Sequence, residues 1–270
     1  MNRSIIKKII KKIVPLPIFR WINKLYVKLF AHFFNKRDLL TVQRYEASFV
    51  KEYGLNVIDG PFAPMKYVHM AVGSAFLHKL AGYYEAVLHP YVNEVGKMEI
   101  KNILDIGSAE GYYTTGFGKM FTQASIVAFE MEEDGRRLIQ EMYSINNLSN
   151  PIEILGEATN ENILQYIRPN TLLICDCEGA EKDILSIKNL DVLKNVAYGI
   201  IELHDDFVPG CKEACISYFK DTHDIEIVKF TFADVNKFKF LKNISNKNDV
   251  SLLLKERGLQ DQEWLILRLK

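Results

Sequence analysis

Several residues of this 270-residue chain have the side-chain chemistry to bind a polar cofactor and to move a proton. The most informative run is Ile103–Tyr113, which reads Ile-Leu-Asp-Ile-Gly-Ser-Ala-Glu-Gly-Tyr-Tyr. Gly107 and Gly111 predict a tight turn between a buried strand and a helix that begins near Tyr112, because glycine tolerates positive φ and has no Cβ. The backbone N–H groups of such a turn are expected to approach a nucleotide-like ligand.

The charge of this turn indicates which cofactor it suits. Asp105 lies two residues before Gly107, and the spacing is G-x-x-x-G rather than the G-x-G-x-x-G of dinucleotide-binding folds. A carboxylate at this place would repel a pyrophosphate bound at the helix N-terminus. It would attract a cationic or zwitterionic cofactor, so the pattern predicts binding of S-adenosylmethionine (SAM).

Further acidic residues stand at the predicted ends of later strands, where ligands of open α/β sheets bind. Glu130 is predicted to accept both hydroxyls of a ribose, and Glu157 and Ala158 are predicted to flank the adenine. Each acid alone also fits a turn or the first turn of a helix, but their order at five successive strand ends favours a cofactor site. The predicted cofactor-binding residues are Asp105, Gly107, Ser108, Ala109, Gly111, Tyr112, Glu130, Glu157, Ala158 and Asp176.

Proton-transfer groups are expected after the fourth and fifth strands. His204 is the predicted general base, because imidazole titrates near neutral pH, and Glu202 or Asp205 is expected to orient it. Glu202 and Glu178 complete the predicted catalytic set, although a structural hydrogen-bonding role fits His204 equally well. Asp176, Glu202, His204 and Asp205 also offer the ligands of a Mg²⁺ site, which leaves metal dependence open.

Seven strand-like runs must position these groups. They are predicted at residues 101–106, 125–130, 152–155, 171–176, 197–203, 225–230 and 263–269. Helical patterns separate the first six at the spacing of right-handed crossovers, and the last strand follows without a clear crossover. We therefore expect an α/β fold, a Rossmann-like seven-stranded doubly wound sheet with its last strand antiparallel. An N-terminal helical extension precedes it, with helices predicted over 38–52 and 73–95.

Four of these motifs together resemble those of a known family, the FkbM-type class I SAM-dependent methyltransferases. They are Asp105–Thr114, Val127–Glu130, Cys175–Glu181 and Ile201–His204. The most specific is the D-x-E-G-A-E run after the fourth strand, and the similarity covers roughly residues 100–230. The resemblance implies a seven-stranded Rossmann-like fold and methyl transfer, usually to a hydroxyl oxygen of a sugar or a natural product. The family often has Ala-Asn after the first glycine, where this chain has Ser108-Ala109.

Charge is unevenly distributed along the chain, although the formal net charge is zero. Residues 1–37 hold ten Lys/Arg and no Asp/Glu, whereas the remainder holds 24 against 34. An acidic body argues against nucleic acid as a partner. The basic amphipathic pattern of residues 1–34 is typical of a helix on a membrane surface. Packing of this segment on the body or on a second protomer is the alternative, so an oligomer stays open.

The boundaries and the setting follow from these patterns. We predict a basic amphipathic segment over 1–37, a helical cap over 38–99 and a SAM-dependent methyltransferase domain over 100–270. No apolar run is long enough for a membrane span, lysines interrupt the N-terminal apolar runs, and the cysteines lack zinc spacing. A reduced, cytoplasmic setting is expected, peripheral to the inner face of the membrane if residues 1–34 bind lipid.

The predicted function is O-methylation of a hydroxyl on a sugar, a glycolipid or a natural product. Two alternatives remain open. One is an NAD(P)-dependent oxidoreductase on the same kind of fold, and the other is a non-catalytic SAM-binding scaffold.

Overall fold

The structure, a computed structural model, describes residues 36–72, 75–206, 208–255 and 262–270. Helix α1 (Lys36–Tyr53) crosses a boundary between two units, and the second unit is Phe49–Lys270. Residues 1–34, for which membrane contact is predicted, lie outside the described residues, and the predicted domain boundaries stay predictions. Within the described ranges no helix has the length and apolar character needed to cross a membrane.

Short elements precede the main sheet. They are the antiparallel strands β1 (Asn56–Val57) and β2 (Met65–Lys66), followed by helices α2 (Phe76–Ala81) and α3 (His89–Val95). The single helix predicted over 73–95 is therefore wrong. The chain leaves helical geometry at Gly82 and Glu85, which have φ of +80° and +45°. Gly82 packs so closely on Asp59 that a Cβ would lie 2.1 Å from the Asp59 carbonyl oxygen, which leaves no room for a continuous side-chain-bearing helix.

Seven strands form the main sheet. They are β3 (Asn102–Ile106), β4 (Ser125–Phe129), β5 (Ile152–Leu155), β6 (Thr171–Cys175), β7 (Val196–Leu203), β8 (His223–Lys229) and β9 (Glu263–Leu269). Their order is β5-β4-β3-β6-β7-β9-β8. Strands β3 to β7 run parallel to one another, and β9 is antiparallel to both β7 and β8. The predicted Rossmann-like sheet with a reversed last strand is confirmed.

Helices connect these strands. They are α4 (Tyr112–Met120), α5 (Glu133–Ile145), α6 (Asn160–Ile163), α7 (Glu181–Ile184), α8 (Leu190–Leu193), α9 (Cys211–Phe219), α10 (Lys239–Lys242) and α11 (Lys247–Leu253). Short 3-10 turns lie at Ala86–Leu88, Leu164–Tyr166 and Val235–Lys237. Strand β6 is buried at every residue, as expected for a central parallel strand with both faces covered. Because the central strands are packed on both faces, their carboxyl ends form a firmly held edge.

Candidate active site

The turn after β3 packs directly against the end of β6. Gly107 has φ +84°, and a Cβ at this residue would lie 1.8 Å from the carbonyl oxygen of Asp176. The N–H groups of Gly107 and Ser108 both donate to the carbonyl oxygen of Phe129, at 2.9 and 3.0 Å. The turn therefore joins the ends of β3, β4 and β6, and only glycine fits its first position.

Backbone N–H groups of this turn have partners within the protein. Besides the two that bond to β4, the Ala109 N–H donates to Glu130 Oε2 at 2.9 Å. The Gly111 N–H donates to the Ser108 carbonyl oxygen at 2.8 Å. These four N–H groups are therefore paired within the protein, and the approach of this turn to a ligand stays a prediction.

The order of the strands places four acids side by side along the carboxyl edge. Glu130 follows β4, Asp105 lies in β3, Asp176 follows β6, and Glu202 lies in β7, and these four strands are consecutive neighbours. Parallel strands end at the same edge of the sheet, so these four acids lie near one another, as the sequence predicts. This edge of the sheet is strongly acidic.

Asp105 is buried, and its carboxylate accepts a hydrogen bond from the Thr114 hydroxyl at 2.5 Å. Burial, with smaller contributions from the nearby Asp176 and Glu130 charges and against the opposing effect of the Thr114 hydroxyl, raises the pKa of Asp105 to about 7. The Ser108 hydroxyl donates to the Asp105 carbonyl oxygen at 2.9 Å. The side chains of Asp105 and Ser108 thus form hydrogen bonds within the protein next to the turn, and their direct contact with a cofactor stays a prediction.

Glu130 is held in one orientation by its own loop. One carboxylate oxygen accepts the Ala109 N–H, and the other accepts the Glu132 N–H at 2.7 Å. The Arg136 guanidinium donates to the Glu130 carbonyl oxygen at 2.8 Å. A carboxylate oxygen can accept more than one hydrogen bond, and the predicted ribose contact stays a prediction.

Tyr112, Glu157 and Ala158 are the remaining predicted cofactor residues. The Tyr112 ring is buried and packs edge-to-face on Phe62 and Tyr84, with ring centroids 5.3 and 5.6 Å apart, so it faces residues that precede the main sheet. Glu157 is exposed after β5, and Ala158 packs on the flank of the core. The adenine role of these last two residues stays a prediction.

His204 lies at the centre of a cluster of carboxylates. Its Nδ1 atom is 2.9 Å from Glu181 Oε1. Its Nε2 atom is 3.6 Å from Asp176 Oδ1 and 3.8 Å from both Glu178 Oε2 and Glu202 Oε1. The side chains of His204 and Glu181 are 5% and 0% exposed. The structure thus brings the three predicted catalytic residues together with Asp176.

The carboxylate that orients His204 is Glu181. The expectation that Glu202 or Asp205 would do so is wrong, since Asp205 Oδ1 instead accepts the N–H of Lys212 at 3.2 Å, at the start of α9. Glu202 Oε1 lies near the other ring nitrogen, 3.8 Å from Nε2. Glu181, the first residue of α7, meets both the loop after β6, through the Cys177 N–H, and His204, which follows β7.

Glu181 is itself fixed by the loop that precedes it. Its Oε1 atom also accepts the N–H groups of Cys177 and Gly179, at 2.8 and 3.3 Å. Sequence reasoning missed its role, because an acid in the first turn of a helix is common for electrostatic reasons alone. The available sequence signal was the E-G-A-E run, which contains two acids three residues apart. In the structure Glu178 is exposed and Glu181 is fully buried.

These carboxylates determine the protonation of His204. Burial disfavours the imidazolium, but Glu181, and then Glu202 and Asp176, outweigh it and raise the pKa of His204 well above its ordinary value. A candidate cation site also lies here, because Asp176, Glu181 and His204 each offer one ligand atom within 4.8 Å of the others. In this set Glu181 takes the place of Glu202 and Asp205, the ligands that the sequence indicated.

No known protein-family profile and no curated protein matches this sequence. Solved structures with a similar fold include the O-methyltransferase from Bacillus cereus in complex with SAH, at 13% identity and TM-score 0.45, with 84% of this chain and 90% of that chain covered. The O-methyltransferase TomG from Streptomyces achromogenes, in complex with SAM, aligns at 12% identity and TM-score 0.45, over 89% of this chain and 94% of that chain. The precorrin-6y C5,15-methyltransferase from Geobacter metallireducens aligns at 10% identity and TM-score 0.47, over 76% and 94%. Similarity at this level does not assign an activity.

Proposed function

We propose that this protein is a SAM-dependent methyltransferase. The observation that carries the proposal is the row of acids on the adjacent strand ends of β4, β3 and β6, namely Glu130, Asp105 and Asp176, around the Gly107 turn. An edge of this charge suits a cationic sulfonium. It does not suit the pyrophosphate of NAD(P), and this weighs against the oxidoreductase alternative.

The residues present fit this cofactor. The Glu130 carboxylate is the type of group that accepts hydrogen bonds from a ribose diol, and the side chain of Met131, 52% exposed directly after it, offers an apolar surface for a base. Asp176 is 32% exposed and so is accessible to a positively charged group. SAM supplies the activated methyl group when bound, and the protein supplies position and electrostatics.

The proposed proton acceptor is His204 Nε2. Glu181 holds Nδ1, so the ring keeps one orientation and Nε2 stays directed at Asp176, Glu178 and Glu202. We infer that Nε2 takes the proton of the acceptor hydroxyl when His204 is neutral, so methyl transfer should increase as pH rises through the raised pKa of His204. Glu178 is 61% exposed, and we assign to it and Asp176 the binding of the acceptor molecule on the open side of this cluster.

The finer parts of the proposal follow the FkbM resemblance. The acceptor would be a hydroxyl of a sugar, a glycolipid or a natural product, as that family implies. A cytoplasmic, reducing setting is supported by the four cysteines, all of which are free in the structure. Lipid contact through residues 1–34 and self-association remain proposals from the sequence.

One observation favours a bound divalent cation as a second component of the site. The imidazole and the two carboxylates of His204, Asp176 and Glu181 form a ligand set that suits Mg²⁺ or Mn²⁺. Such an ion would lower the pKa of an acceptor hydroxyl. Full methyl transfer after exhaustive treatment with EDTA would remove the cation from the mechanism and leave His204 as the proton acceptor.

Calorimetric titration with S-adenosylhomocysteine (SAH) tests the cofactor assignment. We expect micromolar binding that Glu130→Gln weakens by about 1–3 kcal/mol, because a hydrogen-bond acceptor of the diol is lost. Glu141→Gln, on the exposed face of α5, is the matched control and should bind as the wild type does. NAD⁺ binding without SAH binding would instead favour the oxidoreductase. SAM binding without methyl transfer to any of a broad set of acceptors would favour the scaffold.

A further inference from the structure

Glu110, in the middle of the cofactor turn, has a role that the proposed mechanism leaves unexplained. Its side chain is fully buried, and its carboxylate binds three donors from the stretch before the main sheet. These are the Lys79 ammonium, the Tyr67 hydroxyl and the Val72 N–H, the last at 2.9 Å. Burial alone would raise the pKa of Glu110, but the Lys79 charge outweighs it and holds the pKa below its ordinary value. The carboxylate is therefore an ion-pair partner of Lys79.

Lys79 touches the turn on both sides of Gly111. Besides the ion pair with Glu110, its Nζ atom lies 5.3 Å from the centroid of the Tyr112 ring and 4.7 Å from that of Tyr84. Both members of the ion pair are almost completely removed from water. An apolar pair of similar volume is often as stable as a buried ion pair, so overall stability does not by itself explain these charges.

The turn that contacts Lys79 contains one strained residue. Ala109 has φ +50°, whereas Gly111, with φ +91°, adopts a conformation that glycine tolerates. The left-handed conformation of Ala109 persists only where the surroundings impose it. On one side the Ala109 N–H bonds to the carboxylate of Glu130, and on the other side Glu110 bonds to Lys79.

We propose that Lys79 is a positioning residue for the cofactor, acting through Glu110 to fix the turn and thereby the Glu130 carboxylate. Binding of the cofactor is then energetically coupled to the packing of residues 65–72 and 75–84 on that turn. The inference rests on the proposed function, because it takes Glu130 as a cofactor ligand.

Two variants separate positioning from stability. Lys79→Met leaves Glu110 buried beside an apolar chain, and the double variant Lys79→Met/Glu110→Leu replaces the whole pair by apolar groups. We expect both to bind SAH at least tenfold more weakly than the wild type. The double variant should regain most of the melting temperature that Lys79→Met loses, because its pair is apolar throughout. Glu110→Gln, which keeps the shape of the carboxylate, serves as a milder variant if Lys79→Met does not fold.

Leu80→Ala is the matched control. Leu80 is fully buried beside Lys79, so this change lowers the melting temperature without altering a charge at the turn. We expect its SAH affinity to stay within threefold of the wild type. An equal loss of affinity in Leu80→Ala, or wild-type affinity in the double variant, would overturn the positioning role.

Hydrogen exchange measured by mass spectrometry provides a second readout. SAH should slow exchange in peptides from residues 65–84 of the wild type and leave them unchanged in the double variant at saturating SAH. Equal protection in both proteins would refute the coupling. Absence of SAH binding by the wild type would refute the proposed function and this inference with it, whereas unaltered binding by the variants would refute only the inference.

Discussion

His204 Nδ1 lies 2.9 Å from Glu181 Oε1, and both side chains are almost completely buried. A buried imidazolium needs a nearby negative charge to compensate it. Removal of either member of such an ion pair leaves the other as an unpaired charge in the low-dielectric interior. The protonation of His204 therefore depends on Glu181 more than on the partly exposed carboxylates of the same cluster.

Glu181→Gln is expected to lower the pKa of His204. The substitution keeps the shape of the side chain but removes the charge that opposes the effect of burial, and it should reduce the free energy of unfolding by about 1–3 kcal/mol. Titration of the imidazole ¹⁵N resonances by NMR measures the change. Glu178→Gln, which alters an exposed carboxylate on the Nε2 side, should shift the pKa less. A larger effect of Glu178→Gln would mean that Glu181 is not the principal partner.

His204→Gln should destabilise the protein in a pH-dependent manner. The pKa of His204 is raised in the folded protein, so its stabilising contribution is complete below the unfolded value of 6.5 and disappears as pH rises through the folded pKa. The difference in unfolding free energy between wild type and variant, from urea denaturation, should thus shrink towards alkaline pH. His223→Gln is the control with the opposite slope, because burial lowers the pKa of His223. Parallel slopes for the two variants would contradict this account.

The edge of the sheet was predictable from the sequence because parallel strands carry simple signals. Each buried run ends in a polar residue, and parallel strands end on the same side, which is why Glu130, Asp105 and Asp176 were correctly placed together. The last strand is antiparallel as expected, although the short helices α10 and α11 lie between it and β8.

Contacts between distant segments were not predictable in the same way. Glu181 and Glu178 are equivalent in the sequence, and only the course of the chain after β6 decides which one meets His204. Lys79 lies 31 residues before Glu110, and no local pattern shows that a lysine in a short helix is buried. Such pairs depend on tertiary packing, which a single sequence does not encode in its periodicity.

Asp105→Asn is expected to stabilise the protein at neutral and higher pH. Because the pKa of Asp105 is raised from 3.8 to about 7, the wild type gains stability from this group below about pH 4 and loses it as pH rises through 7. The amide avoids the cost of a buried charge and can still accept the Thr114 hydroxyl. Relative to the wild type, the variant should gain on the order of 3 kcal/mol between pH 4 and pH 8. Denaturation curves at both pH values measure this gain, and a pH-independent difference would show that Asp105 ionises without such a cost.

Gly107→Ala should disrupt the turn after β3, which packs against the end of β6 in the middle of the site. The added Cβ would lie 1.8 Å from the Asp176 carbonyl oxygen, and the residue has φ +84°, so either the turn or the end of β6 must move. We expect a loss of more than about 3 kcal/mol in unfolding free energy together with loss of SAH binding. Gly156→Ala is the control at the end of β5, where no atom lies within 4 Å of the new Cβ, and its stability should stay within about 0.5 kcal/mol of the wild type. Thermal melting and SAH titration of the two variants side by side provide the measurement. A folded Gly107→Ala protein with wild-type affinity would show that the contact between β3 and β6 does not shape the cofactor site.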